Sequence, residues 1–275
     1  TGTAVTLVTR SCLLPEAEPE IAQALARYLA EEGITIRTRL TYSRIEQKNG
    51  ETTLTIDVDG HAETLTAERV LVTTGRTPNT AELGLNESGV KLASGGGIIV
   101  DDLMRTSKSG VYAAGDVTGR DQFVYMAAYG AKLAAHNALN GDSLVYDNTA
   151  MPWVVFTDPQ VAGVGLSERQ ARQRGFDVKT SVALLDQVPR ALAARDTRGL
   201  IKLVADAETD RLLGAQILAP EGADSVQTAV LAIKHGMTTK ALGETIFPYL
   251  TTVEGLKLAA QGFGKDVAKL SCCAG

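Results

Sequence analysis

At 275 residues the chain is long enough for two compact units, each with its own core. Its hydrophobic fraction of 44% and charged fraction of 21% are those of an ordinary globular protein, and no apolar run approaches the ~20 residues that a membrane span requires. A formal net charge of -5 provides no basic surface, which disfavours nucleic acid and anionic membranes as partners.

In chain order, the N-terminal "TGTAVTLVTRS" lacks the charged, apolar and cleavage regions of a signal peptide, and Val5 to Val8 reads as a strand. Pro19 to Glu32 is predicted as a helix, with Ile21, Leu25, Tyr28 and Leu29 on one face and Gly33 as its stop. Asn49-Gly50 precedes an alternation at Leu54, Ile56 and Val58, which predicts a hairpin. Glu68 to Gly75 reads as a buried strand entering a glycine turn. Short strands are expected at Ile98 to Val100 and Gly110 to Ala114, then an alanine-rich helix from Met126 to Asn140. Tyr146 to Pro152 reads as a linker. Beyond it, Ser167-Glu-Arg-Gln170 is a capping box opening a helix that ends near Gly175. Leu200 to Val204 pairs with Leu212 to Leu218, and Val226, Ala229, Val230 and Ile233 stripe a further helix. The expected class is α/β followed by α+β, with divisions at 1-74, 75-147 and 148-275.

Three cysteines, Cys12, Cys272 and Cys273, make no disulfide framework and fit a reducing cytoplasm. Cys12 alone is expected to be a small buried apolar residue. The adjacent thiols of "KLSCCAG" could be accidental, could close a strained vicinal disulfide, or could bind a soft metal ion. Thiolates prefer soft metals, and mercury(II) is content with two sulfurs. In "TSKSGVYAAGDV", a run of small residues ends at Gly115, where a ligand can approach the backbone closely. Asp116 follows, and its carboxylate could accept hydrogen bonds from polyol hydroxyls or simply cap the next turn.

Taken together, "TTGRTPNT" (Thr73 to Thr80), "TSKSGVYAAGDV" and "AAYGAKLAAHNAL" resemble the flavoprotein disulfide reductases along essentially the whole chain. The resemblance implies a partial nicotinamide-binding domain at 1-74, an FAD-domain segment at 75-147 and a dimerisation domain at 148-275. It places Asp116 at the FAD ribityl or phosphate region, with Val124 and Ala127 against the flavin, and Gly75 and Arg76 where the two cofactor sites meet. The strand end Val8-Thr9-Arg10 favours NADPH, because arginine suits a ribose 2′-phosphate, although an exposed arginine after a strand is common. Pro15-Glu16 does not supply the second cation that NADPH-specific members often carry.

Two departures bear on activity. The chain has neither a C-x4-C redox disulfide nor a G-x-G-x-x-G phosphate loop, so it is expected to be part of a longer enzyme, inactive alone and weak in flavin affinity. The family's late H-P-T-x-S-E segment corresponds to "FPYLTTVEGLKLAA", where Glu254 matches the glutamate and Tyr249 takes the histidine's place. A phenol titrating near ~10 cannot exchange protons at neutral pH as imidazole does, which disfavours ordinary disulfide reduction. Tyr249 could also be a half-buried aromatic, and Glu254 could form a capping box with Thr251. The tyrosine, the terminal "CCAG", "TAMPWVVFTDPQVAGVG" and "VPRALAARDTRG" resemble the mercury(II)-reducing branch of the family. That branch implies FAD and NADPH as cofactors, Hg(II) as substrate, a symmetric homodimer, and Cys272 and Cys273 as metal ligands acting on the partner's site. Rival readings are a dimerising mercury-binding fragment without activity and a dithiol or lipoamide-type reductase.

Overall fold

A computed structural model of the chain describes residues 2–265. They form two compact units, one built from residues up to 70 and from 149 onward, the other from Leu71 to Asn148. In the first unit, β1 (Thr6–Val8) and β2 (Thr35–Arg37) pair in parallel around α1 (Pro19–Glu31). Proline in the first turn and Gly33 with φ +91° just past the end bound this helix, as its sequence pattern predicts. Strands β3 (Leu40–Lys48), β4 (Glu51–Val58) and β5 (His61–Ala67) follow as an antiparallel meander. Asn49 and Gly50 turn the first hairpin with φ of 54° and 85°, the two left-handed residues that a tight hairpin turn demands.

The same unit contains a five-stranded antiparallel sheet made of β6 (Pro152–Val155), β7 (Gln160–Gly165), β8 (Val178–Leu184), β9 (Leu200–Asp206) and β10 (Leu212–Ala219), ordered β6-β7-β10-β9-β8. Helices α4 (Glu168–Gln173), α5 (Pro189–Ala194), α6 (Gly222–Lys234), α7 (Thr239–Glu244) and α8 (Glu254–Gln261) complete it; α2 (Leu85–Ser88) and α3 (Val124–Asn140) belong to the second unit. Side chains alternate across a sheet, so its two faces have separate cores. On one face Ala162, Ile201, Leu203 and Ile217 pack with Val226 and Ala229 of α6 and with Leu256 and Ala259 of α8. On the other, Val161, Leu200 and Leu218 pack against Ile21, Ala24 and Leu25 of α1. Every residue of β9 is buried in consequence.

Beside this second core lies a charged cluster. The Lys202 ammonium, 2% exposed, donates to Glu18 Oε2 at 2.9 Å, Glu20 Oε1 at 3.0 Å and Glu168 Oε2 at 2.9 Å. Glu18, also buried, accepts from the Glu168 N–H at 2.6 Å, and its own N–H donates to Gln216 Oε1 at 2.7 Å. Burial alone would push the Lys202 pKa down, but hydrogen bonds to Glu18, Glu168 and Glu20 outweigh it and hold the ammonium above the ordinary lysine range. At the far end of α1, the Tyr28 hydroxyl accepts from the Gly199 N–H at 3.0 Å. The helix is therefore fastened to the sheet at both ends.

The second unit contains α2 (Leu85–Ser88), a 3-10 turn at Asp116–Thr118 and α3 (Val124–Asn140). Three expectations are corrected. Ile98 to Val100 and Gly110 to Ala114 form only isolated bridges, Leu92 with Ile98, Val100 with Thr106 and Arg105 with Tyr112. Glu68 to Gly75 is neither strand nor buried: Leu71 is 86% and Val72 68% exposed. An apolar run becomes a strand only where a neighbour supplies the hydrogen-bond ladder, and no described strand pairs with this one. Cys12 is exposed rather than buried: in the turn after β1 it is the following Leu13 and Leu14 that pack against the α1 core.

Candidate functional site

The second unit holds a constellation at the start of α3. Gly115 has φ +80° and ψ −161°, a conformation open essentially to glycine alone, and a Cβ there would lie 3.1 Å from Ala127 Cβ. The Thr118 hydroxyl donates back to Gly115 O at 2.8 Å and fixes the turn. Asp116 is exposed, and its carboxylate has no hydrogen-bond partner among the described residues. On a neighbouring segment, Gly75 has φ +129°, and Arg76 Nη1 donates to Gln122 O at 3.2 Å, two residues before α3. Pro78 lies against Gly119, whose Cβ would sit 3.5 Å from Pro78 Cγ. At the first position of α3, Val124 is 85% exposed.

The structure thus brings Gly115 to Ala127 and Arg76 to the entrance of α3. An uncommitted carboxylate, a glycine with room for close approach, and an exposed aliphatic residue at a helix N-terminus suit a ligand with hydroxyls, negative charge and a flat apolar ring. FAD has those features, so the residues present fit it. Asn137 anchors the far end of α3: buried, it donates to Leu103 O and Leu144 O and accepts from the Ser143 and Leu144 N–H groups.

In the first unit, Arg10 is exposed just beyond β1. The Tyr42 hydroxyl donates to Val8 O at 3.1 Å and ties the meander to that strand end. Tyr249 is 56% exposed and precedes Leu250, which has φ +59°. Glu254 opens α8 and is 5% exposed, with Oε2 lacking a hydrogen-bond partner among the described residues. The capping box expected from Thr251 and Glu254 does not form. The Thr251 hydroxyl donates to Pro248 O at 2.8 Å, and α8 begins after Val253, which is itself helical. Capping therefore does not account for the buried carboxylate, and a buried unpaired acceptor calls for a partner.

Cys272 and Cys273 lie outside the described residues. Among those described, no group of three or more His, Cys, Asp or Glu is placed to hold a metal ion, and no helix is long and apolar enough to cross a membrane. Sequence reasoning passed over Lys202, although a lysine inside "GLIKLVAD" is itself a signal that a buried cation needs partners.

Residues 1–135 match the family description "Pyridine nucleotide-disulphide oxidoreductase", and residues 151–260 match its dimerisation domain. Mercuric reductase of Bacillus cereus is 48% identical over 275 residues, covering 100% of this chain and 44% of that protein. Mercuric reductase of Shigella flexneri is 49% identical over 278 positions, covering 100% and 48%. The HOCl-induced flavoprotein disulfide reductase RclA from Escherichia coli superposes with a TM-score of 0.84 at 28% identity, over 94% of this chain and 59% of that one. The chain spans about half the length of the curated relatives it matches. With both parts of the sequence matched by the same family and the fold shared with a solved member, the chain belongs to the pyridine nucleotide-disulphide oxidoreductase family.

Proposed function

We propose that the chain is part of an NADPH- and FAD-dependent reductase that converts Hg(II) to Hg(0). The observation that carries this reading is near-half identity over the entire chain to proteins bearing the name mercuric reductase. Asp116 and the Gly115 turn would receive the ribityl or phosphate part of FAD, Val124 and Ala127 would lie against its ring, and Gly75 and Arg76 would border the nicotinamide. Arg10 would meet the 2′-phosphate of NADPH. When bound, FAD supplies a two-electron path from NADPH, and Hg(II) takes up that electron pair to become the neutral atom, which its thiolates no longer hold.

The chain's own contribution at the metal is Cys272 and Cys273, which would capture Hg(II) by ligand exchange and pass it to the partner subunit's site. Tyr249 and Glu254 would stand at that site, a phenol in place of the imidazole used for disulfide chemistry. Exposed apolar side chains on the C-terminal domain, Phe156 at 81% and Ile246 at 95%, support burial in a symmetric homodimer. The test uses a full-length reductase carrying this chain, supplied with NADPH and Hg(II) as its thiol complex. NADPH oxidation with release of mercury vapour is expected, and turnover of oxidised lipoamide or another disulfide faster than Hg(II) would overturn the assignment. The 275-residue chain alone is expected to be inactive, since it carries no C-x4-C pair.

A further inference from the structure

The turn from Pro248 to Val253 presents Tyr249 and leads into Glu254 at the head of α8. Within it Leu250 has φ +59°, a left-handed backbone that side chains larger than glycine's adopt at a cost, and which persists only where the surroundings hold it. Thr252 supplies such a hold from outside the turn. It is 6% exposed, and its hydroxyl donates to Glu221 Oε2 at the start of α6, 31 positions away in sequence. The other oxygen of that carboxylate, Oε1, lies 3.6 Å from Arg190 Nη2 on α5. Arg190 belongs to the string "VPRALAARDTRG".

The same string meets the start of α8 a second time. A Cβ on Gly255 would lie 2.6 Å from Ile201 Cδ1 and 3.3 Å from Val188 Cγ2, so glycine lets the first turn of the helix approach β9 and the residue before α5 this closely. Val188 is itself fully buried. At Thr252 the packing is looser: Leu185, Arg190, Pro220, Glu221 and Thr252 are among the residues that line a cavity of about 170 Å³. Side chains that border a void lose dispersion contacts on that side, which leaves the bond from hydroxyl to carboxylate as the main hold on the turn there. A hydrogen bond to an ionised acceptor is about twice as strong as a neutral one. The Arg190–Glu221 pair, with both side chains nearly half exposed, adds less.

We propose that Glu221 is a positioning residue for mercury reduction: through the Thr252 hydroxyl, and steadied by Arg190, it sets the turn that presents Tyr249 and Glu254. This rests on the reading of Tyr249 and Glu254 as residues of the mercury site. A turn released from Glu221 places the phenol less often where the reaction needs it, and misplacement of that kind lowers kcat rather than substrate binding.

The test uses a full-length reductase carrying this chain, with Hg(II) supplied as its thiol complex. Flavin reduction by NADPH is followed separately in stopped flow, and melting temperatures are recorded alongside. Glu221→Ala and Thr252→Val remove the bond from either side, Glu221→Gln and Thr252→Ser keep an acceptor or a hydroxyl, and Tyr249→Phe reports on the phenol. Glu221→Ala and Thr252→Val are each expected to lower kcat for Hg(II) about tenfold with KM nearly unchanged, and their combination to lose no more than either alone. Flavin reduction should keep the parent rate. Thr252→Ser and Glu221→Gln should recover part of the loss, and Arg190→Gln should lower kcat only about twofold. A lower melting temperature with unchanged kcat in Glu221→Ala and Thr252→Val, while Tyr249→Phe loses activity, would overturn the positioning role and leave the reading of Tyr249 standing. Equal slowing of flavin reduction would overturn it too. Full turnover in Tyr249→Phe would overturn the reading of Tyr249 together with this inference.

Discussion

Replacing Lys202 with methionine tests the fastening between α1 and the five-stranded sheet. The change removes the ammonium at 2.9 Å from Glu18 Oε2 and leaves that carboxylate buried. Removing one partner of a buried ion pair typically costs about 3–5 kcal/mol, because the other charge stays desolvated without compensation. Glu18 retains the Glu168 N–H at 2.6 Å, and Glu168 retains Arg172 at 2.9 Å, so the lower end, about 3 kcal/mol, is expected. At about 2–4 °C per kcal/mol for a unit of this size, the melting temperature should fall about 6–12 °C. Glu20 is a contrast: its side chain is 47% exposed, so Glu20→Gln should cost less than about 1 kcal/mol. Glu18→Gln in the Lys202→Met background should recover about 1–2 kcal/mol, since it removes the stranded charge. Urea unfolding of the wild type, Lys202→Met, Glu18→Gln and their double variant, analysed as a double-mutant cycle with Glu20→Gln measured beside them, reads these terms directly. A Lys202→Met cost under about 1 kcal/mol, or no recovery in the double variant, would refute the argument that this cluster fastens the helix.

The same cluster predicts a pH dependence. Lys202 first and Arg172 second hold the Glu168 carboxyl below its ordinary range, so its contribution is present above the unfolded value of ~4.3 and is lost as pH falls through the lower folded value. Lys202 is shifted upward, so its contribution is complete below ~10.4 and is lost only as pH rises through the higher folded value. Urea midpoints across pH should therefore show an acid limb that Lys202→Met flattens, and parallel limbs would contradict the assignment. Gly115→Ala must place a Cβ 3.1 Å from Ala127 at φ +80°, and should cost about 1–3 kcal/mol along with FAD retention in the complete enzyme, measured by flavin absorbance after gel filtration. Cys272→Ala with Cys273→Ala should abolish Hg(II) retention against a competing small thiol while leaving the melting temperature unchanged; equal retention by both proteins would remove the relay.

What the sequence determined alone are the features set by neighbours a few residues apart. Asn49-Gly50 supplies two left-handed residues and makes its hairpin wherever the rest lies. Ser167 and Gln170 close their capping box within one turn, and the apolar stripe of α1 needs only its own helical period. The family was legible for a related reason, since "TTGRTPNT", "AAGDV" and "FPYLTTVEG" are contiguous strings.

The tertiary structure decided what depends on residues distant in the chain. Glu68 to Gly75 has the composition of a buried strand but lacks a partner strand among the described residues, and a ladder cannot be made by one segment. Glu254 fits a capping motif in sequence, yet the turn from Pro248 to Val253 directs the Thr251 hydroxyl elsewhere and leaves the carboxylate buried. Lys202 and Glu18 are separated by 184 positions, and β1 meets β2 only through the crossover of α1. Charges at such separations become neighbours only after the chain has folded, so their pairing leaves no local pattern in sequence while setting the stability of α1.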